Sequence, residues 1–167
     1  MWDKLKEQFN LLKLEKKKLC LITNSDKFES KDLFLDAIAS ALQGGVDVVI
    51  LRELAYPDNV VVEIASKLRI LCDEYGATFI VNNRSDIAMI VEADGVHLGQ
   101  NDISPQDART VLGENAIIGK STHNPDEVIQ AVNEGVDYIT FEPIADDKFV
   151  VEEYILWVNE NIDVPVF

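Results

Sequence analysis

The stretch Asp94-Gly95-Val96-His97-Leu98-Gly99-Gln100-Asn101-Asp102 decides how this chain is read. Gly95 to Leu98 has the short apolar character of a parallel strand buried on both faces. The run stops abruptly, which puts Gln100, Asn101 and Asp102 at the strand's C-terminal end. Parallel barrels and open α/β sheets bind their ligands at that end. Asp102 is therefore a candidate ligand for a metal or a magnesium diphosphate. The competing reading places it in the turn that enters a helix over Pro105 to Leu112.

Strand and helix signals alternate on both sides of this stretch. Apolar runs predict strands at Leu19 to Thr23, Val46 to Leu51, Ala77 to Val81, Ala116 to Gly119 and Val136 to Phe141, and Val164 to Phe167 begins a seventh. Between the first two, Ser30 is placed to cap a helix whose apolar positions are Phe34, Ala37, Ile38, Ala41 and Leu42, ended by Gly44 and Gly45. Asn59 to Tyr75 reads as a helix stopped by Gly76, and Asp86 to Glu92 as a short one. Such alternation demands parallel pairing with right-handed crossovers. A doubly wound sheet and an eight-stranded barrel satisfy it equally.

The chain has 167 residues, enough for one domain with a real core, and is 47% hydrophobic and 27% charged. A net charge of -15 argues against nucleic acid as a partner, because phosphate backbones need a basic surface. It leaves room for a phosphorylated small molecule held by a local basic or metal site. The two cysteines, Cys20 and Cys72, lie in apolar surroundings without CxxC spacing, which fits free thiols in a reducing cytoplasm. No apolar run reaches the ~18 residues of a membrane span, and no signal peptide is expected. Met1 to Lys18 stands apart, with a net charge of +3 against -18 for the rest. Trp2, Leu5, Phe9 and Leu12 predict an amphipathic helical extension before a domain over residues 19–167.

Three further groups fall at predicted strand ends. Arg52 follows Val48-Val49-Ile50-Leu51, where a guanidinium can clamp phosphate oxygens or pair with Glu53. Asn82, Asn83 and Arg84 follow the third strand and form either a polar site or a turn in which Asp86 caps the next helix. Ser121, Thr122 and His123 precede a helix beginning near Pro125, a place that suits an anion. Asn124 is a sufficient cap there by itself. His123 is a candidate proton shuttle, and His97 a structural hydrogen-bonder.

DGVHLGQND resembles the thiamine phosphate synthase and thiazole tautomerase superfamily. So do LITN (21–24), ALQGGVDVVILRE (41–53), YGATFIVNNRSDIAM (75–89), IIGKSTHN (117–124) and GVDYITFEPI (135–144), in the family's order and spacing. The resemblance implies a parallel (β/α) barrel of the TIM type, incomplete here: about six βα units and the start of a seventh strand, after an N-terminal helix. It implies a reaction joining hydroxymethylpyrimidine diphosphate to thiazole phosphate, with magnesium as cofactor. Asn83 and Asp102 would hold the magnesium. Arg52, Asn82, Arg84, Gln100, Ser121 and Thr122 would bind the substrates, with Arg52, Ser121 and His123 the catalytic candidates. Open strand edges make a homo-oligomer an expectation.

The chain departs from the family pattern at several of these places. Where the family has QLREK, this chain has Ile50-Leu51-Arg52-Glu53-Leu54, losing a polar contact and a cation. Asn83 stands where the family has an aspartate ligand, and Glu142 where it has glycine. Asp146 and Asp147 sit in a shortened loop beside the expected phosphate site, with Lys148 able to offset one of them. These changes imply a synthase of weakened or lost activity. The alternatives are a thiazole tautomerase, for which His123 would matter, and a non-catalytic ligand- or partner-binding relative.

Overall fold

The computed structural model describes residues 19–53, 55–143 and 148–167. The amphipathic extension over 1–18, Leu54, Asp146 and Asp147 lie outside the described residues. Six parallel strands form one sheet: β1 (Cys20–Ile22), β2 (Val48–Leu51), β3 (Thr78–Asn82), β4 (Gly95–Leu98), β5 (Ile117–Thr122) and β6 (Tyr138–Phe141). They are joined by helices α1 (Lys31–Gln43), α2 (Asp58–Tyr75), α3 (Ser85–Ile90), α4 (Pro105–Leu112) and α5 (Pro125–Asn133), and α6 (Lys148–Asn161) follows β6. The sheet order equals the chain order, β1 to β6. A doubly wound sheet reverses its strand order at a switch point. Here nothing reverses, so the ambiguity left by the alternation resolves to a curled, incomplete barrel.

The helices end where side-chain chemistry ends them. Ser30 accepts the Leu33 amide at 3.2 Å to start α1. Gly76 takes the left-handed conformation, φ +66°, that closes α2. Ser104 caps α4 and Asn124 caps α5, each followed by proline at the first helical position. Asp102 is therefore not the cap of α4. Nor does Asp86 cap α3: the residue before that helix is Arg84, with no side-chain cap bond, and Asp86 lies in its first turn.

Alternation along each strand divides the core in two. Val49, Leu51, Phe79 and Val81 face outward against α1 and α2, packing on Phe34, Ile38, Ile64 and Leu68. Val48, Ile50, Ile80, Ile117 and Tyr138 face inward as a separate cluster, joined by Cys20 and Phe167. Every residue named in the inward cluster except Cys20 and Phe167 is at most 1% exposed. Burial raises both thiols, to about 11 at Cys20 and about 12 at Cys72.

Strand lengths differ from the sequence reading at β5, which runs on through Thr122 rather than stopping at Gly119. It is flanked on both sides, by β4 and by β6, so its later amides find partners that a single-strand pattern does not reveal. The seventh strand is present as its beginning: Val166 bridges Ile139 in parallel, with the Phe141 amide donating to the Phe167 carbonyl at 3.1 Å. At the opposite edge, β1 pairs with β2 alone within the sheet, and Leu19 and Ile22 stay half exposed.

Candidate functional site

The register sets the site. Asn82, His97, Gly119 and Tyr138 are successive partners across β3, β4, β5 and β6. One layer nearer the strand ends, Ser121 pairs with Thr140. Period-2 alternation points this set inward, while Lys120 between Gly119 and Ser121 points outward to Glu134 at 2.6 Å.

A cavity of about 540 Å³ lies over this layer. Its lining takes Arg52, Asn82, His97, Ser121, Thr140 and Glu142 as polar groups, with Cys20, Ile22, Ile50, Phe141 and Phe167 as the apolar wall. Of the candidate residues, the structure thus brings Arg52, Asn82 and Ser121 together. Arg52 is exposed, and its amide donates to the Thr23 hydroxyl at 3.0 Å. Glu53, its alternative partner, is held elsewhere: it accepts from the Thr23 hydroxyl at 3.0 Å, from the Ser25 amide at 3.2 Å, and from the Ser25 hydroxyl. Among the described residues no carboxylate forms an ion pair with Arg52.

His97 is buried at the floor of the cavity. Its Nδ1 lies 3.0 Å from the Tyr138 hydroxyl and its Nε2 2.9 Å from Ser121 Oγ. The imidazole stacks on the Tyr138 ring with 5.5 Å between centroids. Burial pushes its pKa down to about 4, so the ring is neutral at pH 7. Thr140 Oγ1 completes the group at 3.4 Å from His97 Nε2 and 3.5 Å from Ser121 Oγ. Tyr138 and Thr140 were not singled out from the sequence. The signal was available: once Ser121 is inward, its β6 partners inherit the same parity.

The other candidates lie around this cavity rather than on its wall. A second hollow of about 280 Å³ is lined by Glu53, Asp58, Asn82, Asn83 and Arg84 among others. There Arg84 is engaged by two carboxylates, Asp58 at 2.7 Å and Asp86 at 2.7 Å. That guanidinium lowers the pKa of both acids. Asn83 adopts φ +63°, a left-handed conformation that asparagine tolerates better than most residues. Gln100 donates to the Ser121 carbonyl at 2.6 Å, and the Thr122 hydroxyl donates to the Thr140 carbonyl at 3.0 Å. His123 belongs to the α5 cap, its Nδ1 2.8 Å from Glu127 Oε2 and its amide donating to the same oxygen at 3.0 Å.

Asp102 accepts the Gly99 amide at 2.6 Å, closing the turn after β4. Among the described residues no group of three or more His, Cys, Asp or Glu is arranged to hold a metal. Asn83 and Asp102 follow adjacent strands and offer hard oxygen donors, one of them charged. Magnesium accepts such a sparse set when water and substrate phosphate supply the remaining ligands. As donors the two would suit an ion that brings its own anionic ligands, not a cage for the free ion.

Fold and site define a parallel α/β barrel with a ligand-sized cavity at its strand ends, part polar and part apolar. The thiamine monophosphate synthase family model matches residues 19–167, and the chain belongs to that family. It is 38% identical over 160 residues to the thiamine-phosphate synthase of Nostoc sp., covering 92% of this chain and 44% of that protein. The thiamine-phosphate synthase of Shouchella clausii is 36% identical over 155 residues, covering 89% of this chain and 74% of that protein. In structure the chain is similar to the thiamine phosphate pyrophosphorylase of Pyrococcus furiosus, with a TM-score of 0.79 and 31% identity over 93% of this chain and 75% of that one. The chain spans less than half the length of the first curated relatives it matches. No helix among the described residues is long and apolar enough to cross a membrane.

Proposed function

We propose that this chain binds a pyrimidine diphosphate together with a thiazole phosphate and joins them into thiamine phosphate. The observation that carries this reading is the convergence of Arg52, Asn82 and Ser121 on one cavity at the strand ends. Arg52 supplies a guanidinium unclaimed by the described carboxylates, suited to bidentate contact with phosphate oxygens. Asn82 offers an amide to the pyrimidine edge. Ser121 offers a hydroxyl to the anion. In the reaction the bond between the pyrimidine methylene carbon and the diphosphate oxygen breaks, the diphosphate leaves with both electrons, and the thiazole nitrogen attacks the resulting cation. Magnesium, held by Asn83 and Asp102, would neutralise the leaving diphosphate. The chain's own work is positioning and electrostatics.

We further propose that turnover is slow. Ile50 is buried in the cavity wall where the family places a polar side chain, and Glu142 adds a carboxylate to the same wall. A carboxylate in that wall opposes a diphosphate and offsets the Arg52 charge. The test is formation of thiamine phosphate from both substrates with magnesium. Product at a rate well under the enzyme median of ~10 per second, abolished in Arg52→Ala, is the expected result. No product from the wild-type chain, with no uptake of magnesium pyrophosphate, would overturn the reading.

A further inference from the structure

The Tyr138 hydroxyl is the most enclosed polar group of the site. Tyr138 is 0% exposed, and among the described residues its one hydrogen-bond partner is His97 Nδ1. Gly119 makes that contact possible: a Cβ there would stand 2.0 Å from the Tyr138 ring, because the side chain reaches from β6 across β5 to β4. Two proton arrangements satisfy the imidazole. In one, Ser121 donates to Nε2 and Nδ1–H donates to the tyrosine oxygen. The tyrosine proton then has no acceptor in a buried place, at a cost of about 1–3 kcal/mol. In the other, Tyr138 donates to Nδ1 and Nε2–H donates to Ser121 Oγ, so the buried tyrosine and imidazole protons both have partners and only the Ser121 proton, at the cavity, is unassigned.

We propose that Tyr138 is a positioning residue that fixes His97 in the Nε2–H tautomer and thereby makes the Ser121 hydroxyl a donor toward the cavity. Ser121 Oγ accepts from His97 at 2.9 Å and lies 3.5 Å from the Thr140 hydroxyl. With His97 donating to it from below, its own proton can turn to a ligand. His97 then does not act as a base on Ser121, and Ser121 is not a nucleophile. The arrangement selects a ligand oxygen that accepts, such as a phosphate oxygen; that last step rests on the function proposed above.

Nitrogen-15 spectra of the imidazoles in the full chain at pH 7 read the tautomer directly, without any ligand. Nε2–H at His97 is expected in the wild type, and a mixture of tautomers in Tyr138→Phe. Nδ1–H in the wild type overturns the proposal, as does an unchanged pure Nε2–H form in Tyr138→Phe. The wild-type spectrum decides the point even if the variant folds poorly. Calorimetry with magnesium pyrophosphate adds the consequence. Ser121→Ala is expected to weaken binding about tenfold, the worth of one hydrogen bond to a charged group. Tyr138→Phe is expected to weaken it several-fold, with the double variant no worse than Ser121→Ala alone. Unchanged affinity in Tyr138→Phe beside a weakened Ser121→Ala would also overturn the proposal. A wild-type chain that takes up no pyrophosphate removes the phosphate reading, while the tautomer result still decides the role of Tyr138.

Discussion

Asp94 and Phe79 are bonded twice: the Phe79 amide donates to the Asp94 carboxylate at 2.9 Å, and the Asp94 amide donates to the Phe79 carbonyl at 2.9 Å. Asp137 and Ile118 repeat the arrangement at 2.8 and 2.7 Å, and Asp47 and Leu19 at 3.1 and 3.0 Å. Each aspartate precedes a strand and clamps the start of the strand before it. The clamps fix the register at the bottom of the barrel, and the register places Asn82, His97 and Ser121 at the top. At two of them an arginine from the helix before the earlier strand joins the carboxylate, Arg69 of α2 at Asp94 and Arg109 of α4 at Asp137, both at 2.9 Å.

Removing a clamp should therefore be costly. Asp137→Ala strands the Ile118 amide and leaves the largely buried Arg109 without its carboxylate. Breaking a buried pair from one side costs about 3–5 kcal/mol. Asp137→Asn keeps an acceptor for the amide and should cost clearly less. Urea unfolding of the two variants measures both. Equal, small losses would mean that the clamp does not hold the register.

Gly119→Ala should be among the most disruptive small changes in the chain. The added Cβ would meet the Tyr138 ring at 2.0 Å. Forcing atoms into a packed core costs about 1–3 kcal/mol or more, and relief requires Tyr138 to leave His97. Thermal melting should show the loss of stability. The His97 imidazole signals should move with it, which they would not do if the strain were absorbed by β5 alone.

Much of this was legible in advance. The anchor strand Gly95 to Leu98 and the helix Pro105 to Leu112 have the bounds their apolar runs and caps predict. The barrel, by contrast, could not be told from a doubly wound sheet by alternation, because strand order is a long-range property. The aspartate clamps were visible as Gly-Val-Asp before β2 and β6 and Ala-Asp-Gly before β4, yet an acid beside a strand reads as an ordinary turn residue. At the candidate site, strand-end position singled out Arg52, Asn82 and Ser121, which line one cavity. It gave no means of separating them from Arg84 and His123, whose side chains are committed to Asp58, Asp86 and Glu127. Tyr138 was hidden because it looks like any buried aromatic until register sets it beside His97.

Stability should fall as pH drops from about 6.5 toward 4. Burial holds His97 at about 4, below its unfolded value near 6.5. Between those values the unfolded chain binds a proton at this position and the folded chain does not, so stability rises with pH across that window. The contribution is complete above about 6.5 and is lost progressively below it, on the order of 3 kcal/mol. Chemical unfolding from pH 4 to pH 7 reads the slope. His97→Gln, which cannot titrate, should flatten it; an unchanged slope would assign the acid loss to the carboxylates instead.

Asn83→Asp should tighten magnesium in the presence of pyrophosphate. The exchange is nearly isosteric, and aspartate, like asparagine, accepts the left-handed backbone found here at φ +63°. The Asn83 amide, which donates to the His97 carbonyl at 2.8 Å, is untouched by the change. What changes is the charge, from a neutral oxygen donor to a carboxylate on a hard cation. A gain of about 1.4 kcal/mol corresponds to tenfold in affinity, and that is the scale expected by calorimetry. Asp102→Asn should shift the affinity the other way. If both residues hold one ion, their effects in the double variant should depart from additivity, since neighbours that share a partner couple. Strictly additive effects, or none at Asn83, would mean that the two side chains do not meet on a common magnesium.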